Sequence, residues 1–233
     1  ASQADNRPEF GPSWTDLTQL KSMPEQADPW WVAQAEQLVR VMSERDNAYV
    51  YHLDTVRDAA RRLAGLNSVH RVLYAVKAND HPQLLNVLAE EGMGFECVSL
   101  QELDHVQASV HDVKAKDILF TPNFAPREEY QIALDRGIPL TVDNSWAIFE
   151  WPDLFRDREI FLRLDLDTGY GHHKKVITSG VDSKFGISLE HLEKLKQWLD
   201  SINARVTGLH AHTGSGVSNA EAWREQLQRF LDV

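Results

Sequence analysis

Apolar residues follow two periods along this chain of 233 residues. Near the start, Val32, Ala35, Leu38, Val39 and Met42 recur at the spacing of one helical face and predict a helix over 32–45. Trp14, Trp30 and Trp31 lie before or beside it and read as packing anchors for that helix rather than as a ligand box. Ala48-Tyr49-Val50-Tyr51-His52-Leu53 predicts a short strand, and Asp54 is placed to cap a helix running to about Leu66. From Val72 the period changes to that of strands. Runs of strand length span 72–77, 94–99, 117–122, 139–143, 159–165 and 205–212, with helical segments between them. Pro82 and Pro126 suit first helical turns, and Ser99 with Glu102 and Ser218 with Glu221 have capping-box spacing.

Most strands repeat every 20 to 25 residues or so, near the smallest practical β–α unit, so the sheet is expected to be parallel. It is either an open doubly wound sheet or a closed barrel. Alternation decides between them. Leu162, Leu164 and Leu166 share one face of their strand, while Arg163, Asp165 and Asp167 share the other. A sheet covered by helices on both sides wants two apolar faces, whereas a barrel tolerates polar residues inside its catalytic mouth. No Gly-x-Gly-x-x-Gly follows the first strand of the series. The expected fold is therefore a (β/α)8 TIM-type barrel, truncated after about six β–α units. Residues 1–29, polar and rich in turn formers over Ala1–Pro12, read as a linker or N-terminal extension, and 30–233 as the partial barrel.

Composition narrows the partners. Hydrophobic content of 42 % and charged content of 25 % suit one α/β domain with a sizeable core. A net charge of −11 argues against nucleic acid or an anionic membrane. No apolar run approaches the roughly 20 residues that span a bilayer, and no signal-peptide pattern opens the chain. Cys97 is the single cysteine, which excludes an intrachain disulfide and a cysteine zinc cluster. A cytoplasmic protein is expected.

Two stretches carry chemistry. Val72-Leu73-Tyr74-Ala75-Val76-Lys77 ends an apolar strand on a lysine. A lone lysine there ordinarily reaches into solvent; buried, its amine must be neutralised, paired or bound covalently. A Schiff base with an aldehyde cofactor is one such resolution. The second stretch is Gly208-Leu209-His210-Ala211-His212-Thr213-Gly214-Ser215-Gly216. Its two imidazoles share a strand face, as in metal sites, so a metal-dependent hydrolase barrel is a competing reading. The following Gly-Ser-Gly can instead cradle an anion such as phosphate, and the metal reading leaves Lys77 unexplained.

The string Tyr-Ala-Val-Lys-Ala-Asn at 74–79 resembles the cofactor-lysine motif of the pyridoxal-phosphate barrel enzymes, the group of alanine racemase and the diaminopimelate, ornithine and arginine decarboxylases. Tyr49–Thr55, Gly94–Leu103, Asp182–Gly186 and His212–Gly216 resemble further elements of the diaminopimelate decarboxylases. Phe10-Gly11-Pro12, Trp30-Trp31, Phe120-Thr121-Pro122 and Gly171–Val176 are similar to the decarboxylase half of bifunctional aspartate kinase/diaminopimelate decarboxylases. The linker-like, methionine-free start fits a domain that follows a kinase.

The resemblance implies a lyase of lysine biosynthesis that uses pyridoxal 5'-phosphate and no metal. It also implies an amino-acid substrate, meso-diaminopimelate, and a homodimer. Lys77 would carry the cofactor, His212 would stack on its ring, and Ser215 would bind its phosphate. Glu96 and Arg163 would take the places of the second-strand carboxylate and the strand-five arginine. Glu96 also reads as an ordinary hydrogen-bonded strand acid, and Arg163 as a partner of Asp165 or Asp143. Lys184 reads as an interface residue, and His172 and His173 as a substrate entrance or a solvated loop. The glycine-rich phosphate loop, the pyridine-nitrogen carboxylate and the C-terminal β domain of such enzymes have no counterpart in these residues, so this polypeptide alone is expected to be inactive. Another basic amino-acid decarboxylase or a racemase of the same fold, or a non-catalytic cofactor-binding relative, remains an alternative.

Overall fold

A computed structural model of the chain describes residues 29–43, 45, 47–166, 170–171, 185–215 and 220–233. They belong to two compact units, 1–55 and 56–233. In the first unit the single expected helix is two, α1 (Trp30–Ala33) and α2 (Ala35–Met42), because Gln34 leaves helical geometry at φ −110°, ψ 20°. Trp30 stacks on His52 at 5.1 Å between ring centroids with planes 10° apart, so it is a packing residue, while Trp31 is exposed. Trp14 lies outside the described residues.

The strand expected over 48–53 does not form. Among the described residues no other strand pairs with this segment, and Tyr49 is 91 % exposed. Alternating β-prone residues make an extended segment, but a strand needs a partner ladder. The next helix, α3 (Leu53–Ala64), begins before Asp54 rather than after it. Its cap is His52, whose Nδ1 accepts the Thr55 N–H at 3.3 Å.

The second unit carries β1 (Leu73–Ala75), α4 (Pro82–Glu90), β2 (Gly94–Cys97), α5 (Leu100–Ser109), β3 (Ile118–Phe120) and α6 (Arg127–Asp135). It continues with β4 (Thr141–Val142), α7 (Ser145–Glu150), α8 (Pro152–Phe155), β5 (Glu159–Asp165), β6 (Tyr170–Gly171) and β7 (Ile187–Ser188). Then come α9 (Leu192–Ser201), β8 (Arg205–Ala211), β9 (Gly214–Ser215) and α10 (Ala220–Leu231). The helix starts follow local chemistry. Pro82 opens α4 at N1, and Ser99 Oγ accepts the Glu102 N–H at 3.2 Å at the head of α5. Glu102 returns the bond one residue further back than a standard capping box, accepting from the Val98 N–H at 2.9 Å. Pro126 sits at the N-cap of α6 rather than inside its first turn, and Ser218 lies outside the described residues.

Among the described residues every strand pairing in this unit is parallel. β1, β2 and β3 pair in order, a Phe120–Leu140 bridge joins β3 to the start of β4, and β4, β5 and β8 follow. Spatial order thus equals chain order across six strands. A doubly wound sheet reverses its order at a switch point, so this is the arrangement of a (β/α)8 barrel. β7 extends the β4 side of β5, with Leu164 and Asp165 opposite Ile187 and Ser188.

Alternation separates two environments. Phe95, Cys97, Ile118, Phe120, Ile160, Leu162 and Leu164 point outward into a continuous apolar core with helix residues such as Leu85, Leu103, Tyr130, Ile148 and Phe155. Fully burying each large side chain stabilises by about 1.5–3 kcal/mol, so this face fixes the register of the sheet. The intervening residues face inward. On β8 that parity depends on one extra residue: Ile160 pairs with Val206, but Phe161 pairs with Gly208, leaving Thr207 as a bulge. Gly208 is needed there, because a Cβ would meet the Phe161 ring at 2.8 Å. Without the bulge His210 would turn outward; with it, His210 sits opposite Arg163 and faces in. No helix among the described residues is long and apolar enough to cross a membrane.

Candidate active site

At the carboxyl ends of the strands the inward positions enclose a cavity of about 560 Å³. Its walls include Lys77 after β1, Glu96 on β2, Thr121 and Asn123 after β3, Arg163 on β5, Phe185 before β7, and His210 and His212 at the end of β8. Four of the five residues singled out in the sequence therefore converge: Lys77, Glu96, Arg163 and His212. The fifth, Ser215, has its backbone in β9, beside Gly171 of β6, and its side chain is outside the described residues. So are His172, His173 and Lys184. A second cavity of about 570 Å³ lies between β8 and α10, lined chiefly by Leu119, Phe161, Leu209, Trp223 and Phe230. His210 and Arg224 are the titratable groups that line it, whereas Lys77, Glu96, Arg163, His210 and His212 meet in the first.

Lys77 is not the last residue of a strand. β1 ends at Ala75, and Val76-Lys77-Ala78 form a single 3-10 turn in which Val76 is fully buried. Lys77 itself is exposed toward the cavity, so the desolvation cost expected of a buried strand lysine does not arise. Its amine is available for chemistry without that penalty. Glu96 accepts a hydrogen bond from the Thr121 hydroxyl, which fixes one carboxylate oxygen.

Arg163 donates from Nη1 to Asn123 Oδ1 at 2.8 Å, and its guanidinium carbon lies 5.1 Å from the centre of the Phe185 ring. Neither residue was singled out for this role by the sequence. Thr121 and Asn123 were findable, since they continue the inward face of β3 two and four residues beyond Leu119.

The two histidines are held neutral. Burial, then Arg163, His212 and Lys77, push the His210 pKa down to about 4. Burial first, then Arg163 and Lys77, also lower that of His212, with Glu96 opposing. Buried His210 Nδ1 has no hydrogen-bond partner among the described residues. Among those residues, too, no three His, Cys, Asp or Glu side chains are grouped so as to hold a metal ion.

The His210 shift gives a pH test. An unfolded histidine takes its proton near pH 6.5, whereas folded His210 resists protonation down to about pH 4. Stability is therefore lost as pH falls through that window, and Arg163, His212 and Lys77 all face the ring with the sign that resists protonation. Urea unfolding at pH 7.5 and pH 5.0 should show a smaller pH dependence in His210→Gln than in the wild type, by roughly 1–2 kcal/mol. Identical dependence in the two proteins would remove His210 as the titrating group.

Comparison with known proteins accords with this geometry. The family described as "Pyridoxal-dependent decarboxylase, pyridoxal binding domain" matches residues 53–233. Diaminopimelate decarboxylase from Methanothermobacter thermautotrophicus is 30 % identical over 190 residues, covering 79 % of this chain and 44 % of that protein. A crystal structure of Helicobacter pylori diaminopimelate decarboxylase with L-lysine superposes with TM-score 0.73 at 20 % identity, covering 84 % of this chain and 51 % of that one. Arginine decarboxylase of Paramecium bursaria Chlorella virus, bound to agmatine, superposes with TM-score 0.71 at 22 % identity, covering 84 % and 51 %. The chain thus spans about half the length of the relatives it matches. With the family match over three-quarters of its residues, a parallel sheet in barrel order and a lysine opening into the cavity at the strand ends, the chain belongs to the pyridoxal-dependent decarboxylases, through their pyridoxal-binding domain.

Proposed function

We propose that the protein carrying this chain is a pyridoxal-phosphate-dependent decarboxylase that converts meso-diaminopimelate to lysine. The observation that carries the reading is the convergence on one cavity of Lys77 from the turn after β1, Glu96 on β2, Arg163 on β5 and His212 just after β8. The residues fit the cofactor. An accessible primary amine can take its aldehyde, neutral imidazole rings suit an aromatic neighbour, and a buried His210 Nδ1 leaves an acceptor or donor unpaired among the described residues. Lys77 would attach the cofactor covalently, with Glu96, Arg163, His212 and Ser215 holding it. When bound, pyridoxal phosphate supplies an electron sink for the electron pair that departing carbon dioxide leaves behind.

The chain's own residues set the stage for that chemistry. When not bonded to the cofactor, Lys77 would present its side-chain nitrogen to the cavity and, as the ammonium, could deliver a proton to the reacting carbon. Arg163 offers a guanidinium fork to an anionic oxygen, and Thr121 keeps Glu96 aimed into the cavity. His212 stays uncharged beside Lys77 and Arg163, so it can pack a ring without repelling a cationic pyridine.

The test is release of carbon dioxide by the full-length protein with added pyridoxal 5'-phosphate, from meso-diaminopimelate, L-ornithine and L-arginine in parallel. Turnover of meso-diaminopimelate at least about tenfold above the other two is expected, equivalent to about 1.4 kcal/mol of discrimination. Preference for ornithine or arginine would move the protein to a sister activity. Inversion at the α-carbon without carbon dioxide would make it a racemase, and cofactor uptake without either would make it a non-catalytic binder.

The finer reading rests on sequence resemblance alone. Trp30-Trp31, Phe120-Thr121-Pro122 and Gly171–Val176 support a partner aspartate kinase in the same polypeptide. A cytoplasmic homodimer, with the barrel beginning near Trp30, completes it. Sedimentation of the full-length protein checks the dimer, and aspartate-dependent ATP turnover checks the kinase.

A further inference from the structure

We propose that Asn123 and Phe185 are positioning residues for Arg163, both anchored by Asp143, so that the guanidinium meets an anionic oxygen of the bound ligand in one fixed orientation. The inference rests on the proposed cofactor-dependent function for what the anion is, but not for the geometry itself.

The carboxylates of Asp143, Asp165 and Glu96 all act electrostatically on Arg163. A long, flexible cation in such company has several places to go, and only some orientations present its donors to the cavity. Two contacts narrow the choice. Nη1 donates to the neutral acceptor Asn123 Oδ1 at 2.8 Å, and the guanidinium carbon lies 5.1 Å from the Phe185 ring centre. One contact fixes an end of the fork and the other packs the group against an aromatic face. A neutral acceptor and an aromatic face fix the position of the cation without adding a further negative charge beside it.

Both holders sit one residue from a bond to Asp143. The Phe124 N–H, next to Asn123, donates to Asp143 Oδ2 at 3.3 Å. The Gly186 N–H, next to Phe185, donates to the Asp143 backbone carbonyl at 3.0 Å. Asp143 is 1 % exposed and does not line the cavity, so ligand does not reach it. Its Oδ1 accepts from Asn144 Nδ2 at 2.8 Å and from the Tyr130 hydroxyl at 3.2 Å. Burial raises its pKa, and these hydrogen bonds oppose the rise. Phe124 takes a left-handed φ of 51°, which a phenylalanine adopts only when something holds it there. One buried acid thus ties together two loops that are 62 positions apart in sequence at residues 123 and 185.

The test has two arms on the full-length protein. In the first, Arg163 is labelled with phenylglyoxal and followed by peptide mass spectrometry, with exposed Arg62 as the internal control. Asn123→Ala and Phe185→Leu should each speed Arg163 labelling by roughly fivefold, with Arg62 unchanged, because a released guanidinium is more accessible. Thermal melts verify that each variant is folded, and if Phe185→Leu is not, Asn123→Ala decides.

In the second arm, pyridoxal 5'-phosphate is titrated into the wild type, Asn123→Ala, Arg163→Ala and the double variant. Asn123→Ala should weaken binding by about 3–10-fold, and the double variant should match Arg163→Ala, because one residue acts through the other. Additive losses, or unchanged Arg163 labelling, overturn the proposal. If the wild type takes up no pyridoxal 5'-phosphate, the functional reading fails and the labelling arm alone decides the positioning.

Discussion

Lys77→Ala is expected to abolish covalent attachment of pyridoxal phosphate and to lower turnover of the full-length protein by about a thousandfold or more. That corresponds to about 4 kcal/mol or more of lost transition-state stabilisation. The reason is local. Lys77 sits in a single 3-10 turn between β1 and α4, and the turn is fixed by its neighbours rather than by the lysine. Val76 buries its side chain completely, and the Asn79 N–H donates to the Val76 carbonyl at 3.1 Å. The lysine side chain is exposed to the cavity and contributes little packing, so the variant should fold and melt near the wild type. Loss of activity with an unchanged melt separates a chemical role from a structural one. The direct measurement is borohydride reduction followed by peptide mapping. The reduced cofactor should sit on the peptide containing Lys77 and vanish in Lys77→Ala. Label on another lysine, or label that survives the substitution, would disprove the assignment.

The parts of this arrangement that the sequence made legible are those governed by short-range periodicity. Strand β5 spans 159–165 as its alternation required, with Leu162 and Leu164 in the core and Arg163 facing the cavity. The same rule put His210 and His212 on one face, but it did not say which face. Thr207 decides that through the bulge, and a bulge is a property of the pairing with β5 rather than of β8 alone. The segment 48–53 shows the converse failure. Its run of β-prone Tyr49, Val50 and Tyr51 reads as readily as a strand as β5 does, yet strand formation depends on a neighbour that local sequence does not specify.

Long-range closeness was hidden for the same reason. Asn123 and Phe185 come from separate loops, and their convergence on Arg163 exists only once β3, β4, β5 and β7 are aligned. The motif Ser-Lys-Phe-Gly was visible as a resemblance, but the physical tasks of its Phe185 and Gly186 appear only in the folded unit. What sequence position leaves open, the buried face of the sheet fixes.

Gly186→Ala is expected to destabilise the chain by about 2–4 kcal/mol, whereas Gly137→Ala should cost only about 1 kcal/mol. Both glycines have positive φ, +88° and +66°, so both substitutions force an L side chain into left-handed backbone. They differ in surroundings. A Cβ at Gly137 meets nothing within 4 Å, but at Gly186 it would lie 2.8 Å from the Asp165 nitrogen and 3.0 Å from the Leu164 carbonyl carbon. Those are backbone atoms of β5 at the very residues that pair with β7, and no flexible side chain can yield to make room. Relief requires that 185–188 move away from β5, which would stretch the bond from the Gly186 N–H to the Asp143 carbonyl. Phe185 would move with it, away from the Arg163 guanidinium.

The expected result is a fall in melting temperature of roughly 5–15 °C for Gly186→Ala and of a few degrees for Gly137→Ala, since about 2–4 °C accompanies each kcal/mol at this chain length. Arg163 should also become more reactive toward phenylglyoxal in Gly186→Ala and stay as it was in Gly137→Ala. Equal melting shifts for the two variants would mean that backbone conformation alone sets the cost and that β5 yields. A large shift for Gly186→Ala with Arg163 reactivity unchanged would place the close approach in the fold but disconnect it from the site.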